Sequence, residues 1–130
     1  LGAKKVSLLA PYMKPLTRLV IDYIEHEGIE VVDSISLEIA DNLEVGRQHP
    51  AAPAEIVRRL KTTGVDAIVA SACVQMPSLA SIQPIEDRTG VPTLSSSVAT
   101  AWMMLRRLGL PPRVPGFGAL LGDRAADERP

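Results

Sequence analysis

Cysteine and aromatic residues are scarce in this 130-residue sequence. It contains one cysteine, and only 3% of its residues are aromatic. A single cysteine excludes an intrachain disulfide and suits a reducing compartment, so we expect a cytoplasmic protein rather than a disulfide-stabilised scaffold. Because aromatic side chains are few, the core has to be built mainly from aliphatic residues and methionine. That composition is typical of buried parallel strands.

Strong charge and cofactor motifs are also lacking. The formal net charge is -1 and no stripe of Lys or Arg is present, so neither nucleic acid nor an anionic membrane is an expected partner. No glycine-rich nucleotide motif follows the first apolar run, and His26 and His49 have no second ligand at metal-binding spacing. We therefore expect no cofactor and no metal. We also expect no signal peptide, and because Leu1 is not an initiator methionine, we expect a processed or partial chain.

Four short apolar runs predict four β-strands. The third run is almost entirely apolar, which indicates a central strand covered on both faces. The runs span residues 5–10, 30–35, 65–70 and 91–94.

The stretches between these runs carry apolar residues at helical spacing. Each predicted helix is followed by a glycine, a residue that tolerates the left-handed backbone at helix ends. Pro84 is expected to kink or shorten the third helix. Alternating strands and helices predict a parallel sheet in the order 2-1-3-4 with helices on both faces. We expect residues 1–110 to form this α/β lobe. The tail at 111–130 is expected to end in residues that are disordered or docked on another lobe.

Polar residues with chemical potential follow three of the predicted strands. Cys73 comes directly after the third strand and shortly before a predicted helix, where backbone N–H groups would stabilise a thiolate or hold a carboxylate. Tyr12 follows the first strand, and Asn42 lies in the loop after the second. Ligands of parallel sheets bind beyond the carboxyl ends of the strands, so we expect these three residues to converge there. Taken singly, each also fits a structural role: an inert buried cysteine, a packed ring or a turn residue.

In combination, the strings around these residues resemble a known family. The sequence is similar, from about residue 4 to about residue 118, to the C-terminal half of maleate cis–trans isomerases. These belong to the aspartate/glutamate racemase superfamily and have arylmalonate decarboxylases as relatives. The supporting strings are Ala-Pro-Tyr at 10–12, Asp-Asn-Leu-Glu-Val-Gly at 41–46, Ser-Ala-Cys-Val-Gln-Met-Pro-Ser-Leu at 71–79, Val-Pro-Thr-Leu-Ser-Ser at 91–96 and Val-Pro-Gly-Phe-Gly at 114–118.

The resemblance implies one lobe of a two-lobe racemase-like fold and an isomerase that uses no cofactor. In this family a thiolate adds to maleate, the former double bond rotates, and elimination gives fumarate. Cys73 then looks like the catalytic cysteine, while Tyr12, Asn42 and the backbone N–H of Val74 look like substrate-binding groups. The family has a second cysteine on a facing lobe, which this chain lacks. A missing N-terminal lobe or a homo-oligomer is therefore an expected partner, and the isolated chain is expected to be inactive.

Two alternatives remain open at this stage. One is a racemase or arylmalonate-type decarboxylase that uses Cys73 as a proton donor. The other is a non-catalytic lobe that binds a small carboxylate or a partner protein. Thiol alkylation linked to activity would separate an enzyme from a binding lobe.

Overall fold

The computed structural model of the chain describes residues 1–122, and at its centre is a four-stranded, all-parallel sheet. The strands are β1 (Lys5–Ala10), β2 (Glu30–Ser36), β3 (Ala67–Val69) and β4 (Thr93–Leu94). Their spatial order is 2-1-3-4, which confirms the predicted topology.

The third and fourth strands are shorter than predicted. Regular pairing of β3 covers three residues, although backbone hydrogen bonds continue on both sides, from Asp66 N to Lys5 O and from Ala70 N to Leu94 O. β4 offers only two residues for pairing. The apolar run thus predicted the extended segment correctly, but the short neighbouring strand limits the regular ladder.

Five α-helices connect and flank the strands. Three of them lie where the apolar spacing predicts helices, and the 52–59 segment divides into a short α-helix and a 3₁₀ turn (Val57–Arg59). The helices are α1 (Lys14–His26), α2 (Asn42–Gly46), α3 (Ala52–Ile56), α4 (Leu79–Thr89) and α5 (Ser96–Arg107).

Two helices differ from the sequence-based expectation. The segment assigned to a loop after β2 contains α2, which begins where the Asp41 side chain accepts a hydrogen bond from Leu43 N at 2.8 Å. Helix α4 continues through Pro84 to Thr89, so the proline does not shorten it. It ends at Gly90, which has a φ of +69° and adopts the left-handed conformation expected of a terminating glycine.

The two faces of the sheet are covered by different helices. On β1, Leu8 and Ala10 pair with Ser34 and Ser36 of β2, whose side chains lie beside α1. Leu9 points to the opposite face because successive strand residues alternate. There it belongs to a buried cluster that includes residues of α4. This arrangement covers β1 on both faces, as expected of a central strand.

The segment after α5 folds back onto the lobe. Val114 N donates to Leu121 O at 2.7 Å, and Ala119 N donates to the Glu86 carboxylate of α4 at 2.9 Å. Leu120 and Leu121 are buried in the same core as α4. The predicted disorder or docking of the last residues falls on 123–130, which lie outside the described residues. Within the described part of the chain, no helix is long and apolar enough to cross a membrane.

Candidate active site at the carboxyl edge of the sheet

Cys73 lies in the tight turn that follows β3. Its side chain is half-buried, and its sulfur accepts a hydrogen bond from the backbone N–H of Gln75 at 3.2 Å. The turn therefore places a backbone donor on the Cys73 sulfur.

Tyr12 follows β1 and reaches the same turn. Its hydroxyl donates to Ala72 O at 3.3 Å. Burial raises the pKa of the Tyr12 hydroxyl above its usual value, and the negative charge of an ionised Cys73 and a hydrogen bond to it raise that pKa further. The phenol thus stays protonated beside the sulfur, as a hydrogen-bond donor. The structure brings together Tyr12 and Cys73, which are 61 positions apart in the sequence.

Asn42 is the first residue of α2, which follows β2, and its side chain is exposed. No direct contact joins Asn42 to Cys73 among the described hydrogen bonds. The helix that carries Asn42 nevertheless lies against the cysteine turn, since a Cβ atom on Gly46 would be 3.9 Å from Gln75 O. The structure therefore places Asn42 on a neighbouring element of the site, with its amide open to solvent.

Val74 follows the cysteine and is strongly exposed, at 67%. Its backbone N–H has no hydrogen-bond partner among residues 1–122. Such a free donor beside the sulfur can bind an anionic oxygen. The Val74 side chain also lines an open depression of about 440 Å³ together with Met76, Ser97 and Phe117. Neither Cys73 nor Tyr12 lines this depression, so it lies beside the thiol.

Two residues of the site were not identified from the sequence. Ser71 is fully buried and its hydroxyl donates to Cys73 O at 2.6 Å, while Gln75 contributes only its backbone. Both belong to the string at 71–79, but a serine two residues before a cysteine carries no distinctive sequence signal. No group of three or more metal-ligating side chains is present in the described part of the chain.

Comparison with known proteins gives a consistent result. Residues 1–121 match the arylmalonate decarboxylase family. The chain is 56% identical to a maleate isomerase of Geobacillus stearothermophilus over 124 residues, which are 95% of this chain and 49% of that protein. It is 59% identical to the maleate isomerase of Alcaligenes faecalis over 120 residues, with 92% and 47% covered. The chain thus spans about half the length of these relatives.

Solved structures agree with the sequence matches. The maleate isomerase of Pseudomonas putida S16 superposes with a TM-score of 0.91 at 56% identity, covering 94% of this chain and 49% of that one. A Nocardia farcinica maleate cis–trans isomerase variant with a covalently bound succinylcysteine intermediate gives a TM-score of 0.89 at 44% identity, covering 92% and 49%. An arylmalonate decarboxylase gives 0.82 at 27%, covering 93% and 54%. The resemblance and fold class inferred from the sequence are confirmed.

Proposed function

Because the chain belongs to the arylmalonate decarboxylase family, we propose that it supplies one half of a cofactor-independent active site that isomerises maleate to fumarate. The observation that carries the proposal is the half-buried Cys73 sulfur with a backbone donor on it, in a lobe 56% identical to a maleate isomerase. The Nocardia relative carries its succinylcysteine intermediate in a variant in which another cysteine is replaced by serine, which supports a cysteine of the complete two-lobe site as the group that forms the covalent bond.

The proposed reaction begins with addition of a cysteine thiolate to one alkene carbon of maleate, with Cys73 as one of the two cysteines of the complete site. The π electrons move to the adjacent carbon and its carboxylate, so the carbon–carbon bond becomes single. Rotation about this bond brings the two carboxylates to opposite sides. The electron pair then re-forms the double bond and expels the thiolate, which leaves fumarate and a regenerated cysteine. No atom is gained or lost, and no oxidant or reductant is needed.

The other residues of the lobe bind the two carboxylates in this proposal. The Tyr12 hydroxyl keeps its proton beside the sulfur and can donate it to an oxygen in which negative charge builds up. The unpaired Val74 N–H and the open Asn42 amide are two further neutral donors. A neutral donor binds a carboxylate less tightly than a cationic side chain does, so the carboxylates of the dianion can still move during bond rotation.

A second lobe completes the site in this proposal. It would provide the facing cysteine that this chain lacks, exclude water from the intermediate, and come from a preceding N-terminal half or from another copy. The support is that the chain spans about half the length of its relatives. A half-buried, functional thiol also favours a reducing compartment, and we propose the cytoplasm.

Decarboxylation of an arylmalonate by Cys73 as a proton donor is the second candidate. It is favoured by the family match itself and by the single cysteine of the chain. The isomerase proposal has more support because the identity to maleate isomerases is about twice that to arylmalonate decarboxylase.

The test is product analysis with the two-lobe protein, in which this chain is combined with the proposed second lobe. Maleate and phenylmalonate are supplied separately, and the products are followed by ¹H NMR. We expect the fumarate vinyl signal to appear from maleate and phenylmalonate to persist. Release of phenylacetate without any fumarate would assign the protein to the decarboxylases.

A further inference from the structure

Three consecutive backbone carbonyls lead to the reactive thiol, and each accepts a hydrogen bond from a different side-chain hydroxyl. Ser96 Oγ donates to Ser71 O at 3.3 Å. The Tyr12 hydroxyl donates to Ala72 O at 3.3 Å, and Ser71 Oγ donates to Cys73 O at 2.6 Å. These contacts therefore fix the path of the turn at the three peptides whose carbonyls belong to Ser71, Ala72 and Cys73.

The Ser71 hydroxyl makes the shortest of these three contacts, and its residue is completely buried. The same oxygen also accepts a longer hydrogen bond from Cys73 N at 3.4 Å. Ser71 O in turn accepts from Ser96 N at 3.1 Å, which ties the turn to the first residue of α5. Helix α5 is held at that end by Ser95, whose side chain caps it at Val98 N. The backbone of Ser71 is thus bound to α5, while its hydroxyl binds the carbonyl of Cys73.

The contact on Cys73 O determines where the next N–H points. A trans peptide is planar, and its C=O and N–H groups point in opposite directions. Because Cys73 O points at the buried Ser71 hydroxyl, the N–H of Val74 points away from Ser71. This is the N–H that has no partner among the described residues.

We propose that Ser71 is a positioning residue that orients the Cys73–Val74 peptide, so that the Val74 N–H is held ready for a carboxylate beside the sulfur. The inference rests on the proposed function in one respect, since it assigns a carboxylate as the ligand of this N–H. The Ser71 hydroxyl contacts the backbone of Cys73, at its O and N atoms, and not its sulfur among the described hydrogen bonds. Its effect passes through one rigid peptide plane.

The test compares two alkylating agents of similar size on the 130-residue chain, in which Cys73 is the only thiol. Iodoacetate carries a carboxylate and iodoacetamide does not. The ratio of their second-order rate constants, divided by the same ratio for the urea-unfolded chain, measures how strongly the folded site favours a carboxylate. A general loosening of the turn changes the iodoacetate and iodoacetamide rates by the same factor and leaves their ratio unchanged. Loss of an oriented N–H slows iodoacetate selectively and therefore lowers the ratio.

We expect Ser71→Ala to lower this normalised ratio by about threefold to tenfold, the range for one hydrogen bond. The matched control is Ser7→Ala. Ser7 is also fully buried and also donates to a backbone carbonyl at 2.6 Å, that of Lys61, so its loss costs similar stability. The ratio should stay within about twofold of the parent value in this control.

A second pair of variants guards against a folding defect. Ser71→Thr and Ser71→Val have nearly equal volume and differ in the hydroxyl, so the ratio should be retained by the first and lost by the second. Equal ratios in this pair, or an unchanged ratio in a folded Ser71→Ala chain, would overturn the proposal. Neither measurement involves maleate turnover. A two-lobe protein without isomerase activity would thus refute the proposed function while leaving the role of Ser71 standing.

Discussion

The backbone N–H of Gln75 donates a hydrogen bond to the Cys73 sulfur across 3.2 Å. The two residues belong to one turn, so the contact needs no other element to bring the atoms together. The lobe therefore provides a backbone donor to the sulfur without a contribution from any facing lobe.

Replacing Cys73 tests whether its sulfur reacts. In the two-lobe protein, Cys73→Ala should abolish fumarate formation. Cys73→Ser should lower the rate by about 10²–10⁴-fold, because an alcohol is a much weaker nucleophile and acid near neutral pH. The measurement is the initial rate of fumarate appearance by NMR. Thr63→Ala, an exposed change in the loop before β3, is the control and should keep full activity. Undiminished activity of the alanine variant would remove Cys73 from the mechanism.

The isolated 130-residue chain should show no measurable maleate turnover. It provides Cys73, Tyr12 and the free Val74 N–H, whereas the facing cysteine and the surface that excludes water belong to the proposed second lobe. Without the second lobe, water reaches the intermediate and weakens its stabilisation by these fixed donors. The assay is the NMR rate measurement, with the two-lobe protein as the positive control. Robust turnover by the isolated chain would contradict the half-site proposal.

Asn42 should affect substrate binding more than the chemical step. In the two-lobe protein, Asn42→Asp replaces a neutral amide by a carboxylate of the same shape, which repels a dianion. We expect KM for maleate to rise by about tenfold or more, with a smaller change in kcat. The control is Asp41→Asn, which keeps an acceptor for the Leu43 N–H that caps α2. An unchanged KM in Asn42→Asp would exclude the residue from carboxylate binding.

The Tyr12 hydroxyl should ionise above the usual tyrosine pKa of about 10. In a Tyr23→Phe chain, Tyr12 is the only tyrosine, so phenolate absorbance reports it alone. Cys73→Ala in that background should move the Tyr12 pKa part of the way back, because it removes the charge and the hydrogen bond of Cys73 but leaves the burial. A midpoint at or below 10 would contradict the geometry.

The same shift has a consequence for stability at alkaline pH. The folded chain keeps the Tyr12 proton at pH values where the unfolded chain has lost it, so unfolding becomes easier as pH rises from about 10 toward the folded-state value. A Tyr12→Phe chain should lose less stability over this interval than the parent. Urea unfolding at pH 9 and at pH 10.5 measures the difference, and equal losses in the two chains would count against the shift.

Gly118 should not tolerate a side chain. It has a φ of +83°, and a Cβ there would lie 2.6 Å from Thr93 O and 2.8 Å from Ile82 Cγ2. We expect Gly118→Ala to destabilise the chain by about 2–4 kcal/mol, from the left-handed backbone and the overpacking together. Gly116→Ala is the matched control, because its φ is +88° but nothing lies within 4 Å of the added atom. If urea unfolding shows the same loss of stability in Gly118→Ala and Gly116→Ala, the close contacts at Gly118 do not contribute to the destabilisation.

The sequence determined the order of the elements and the kind of sheet they form. Apolar periodicity and terminating glycines are local properties, so β1, α1 and α5 lie where the spacing predicts them. The positions of Tyr12 and Cys73 directly after predicted strands were also visible in the local sequence. They were sufficient to assign both residues to the carboxyl edge of the sheet. The short helix α2 was missed because five residues are too few to show a helical period.

The tertiary structure decided which atoms meet at that edge. The Tyr12 hydroxyl reaches the carbonyl of Ala72, and the tail places Gly118 against Thr93. These contacts depend on how the strands, helices and tail pack against one another, which no local pattern records. Even the 2.6 Å bond from Ser71 to Cys73, only two positions apart, required the buried conformation that the sheet and α5 impose. Periodicity fixes the direction of a side chain to within a face, whereas a hydrogen bond requires its atoms to be placed to within a few tenths of an ångström.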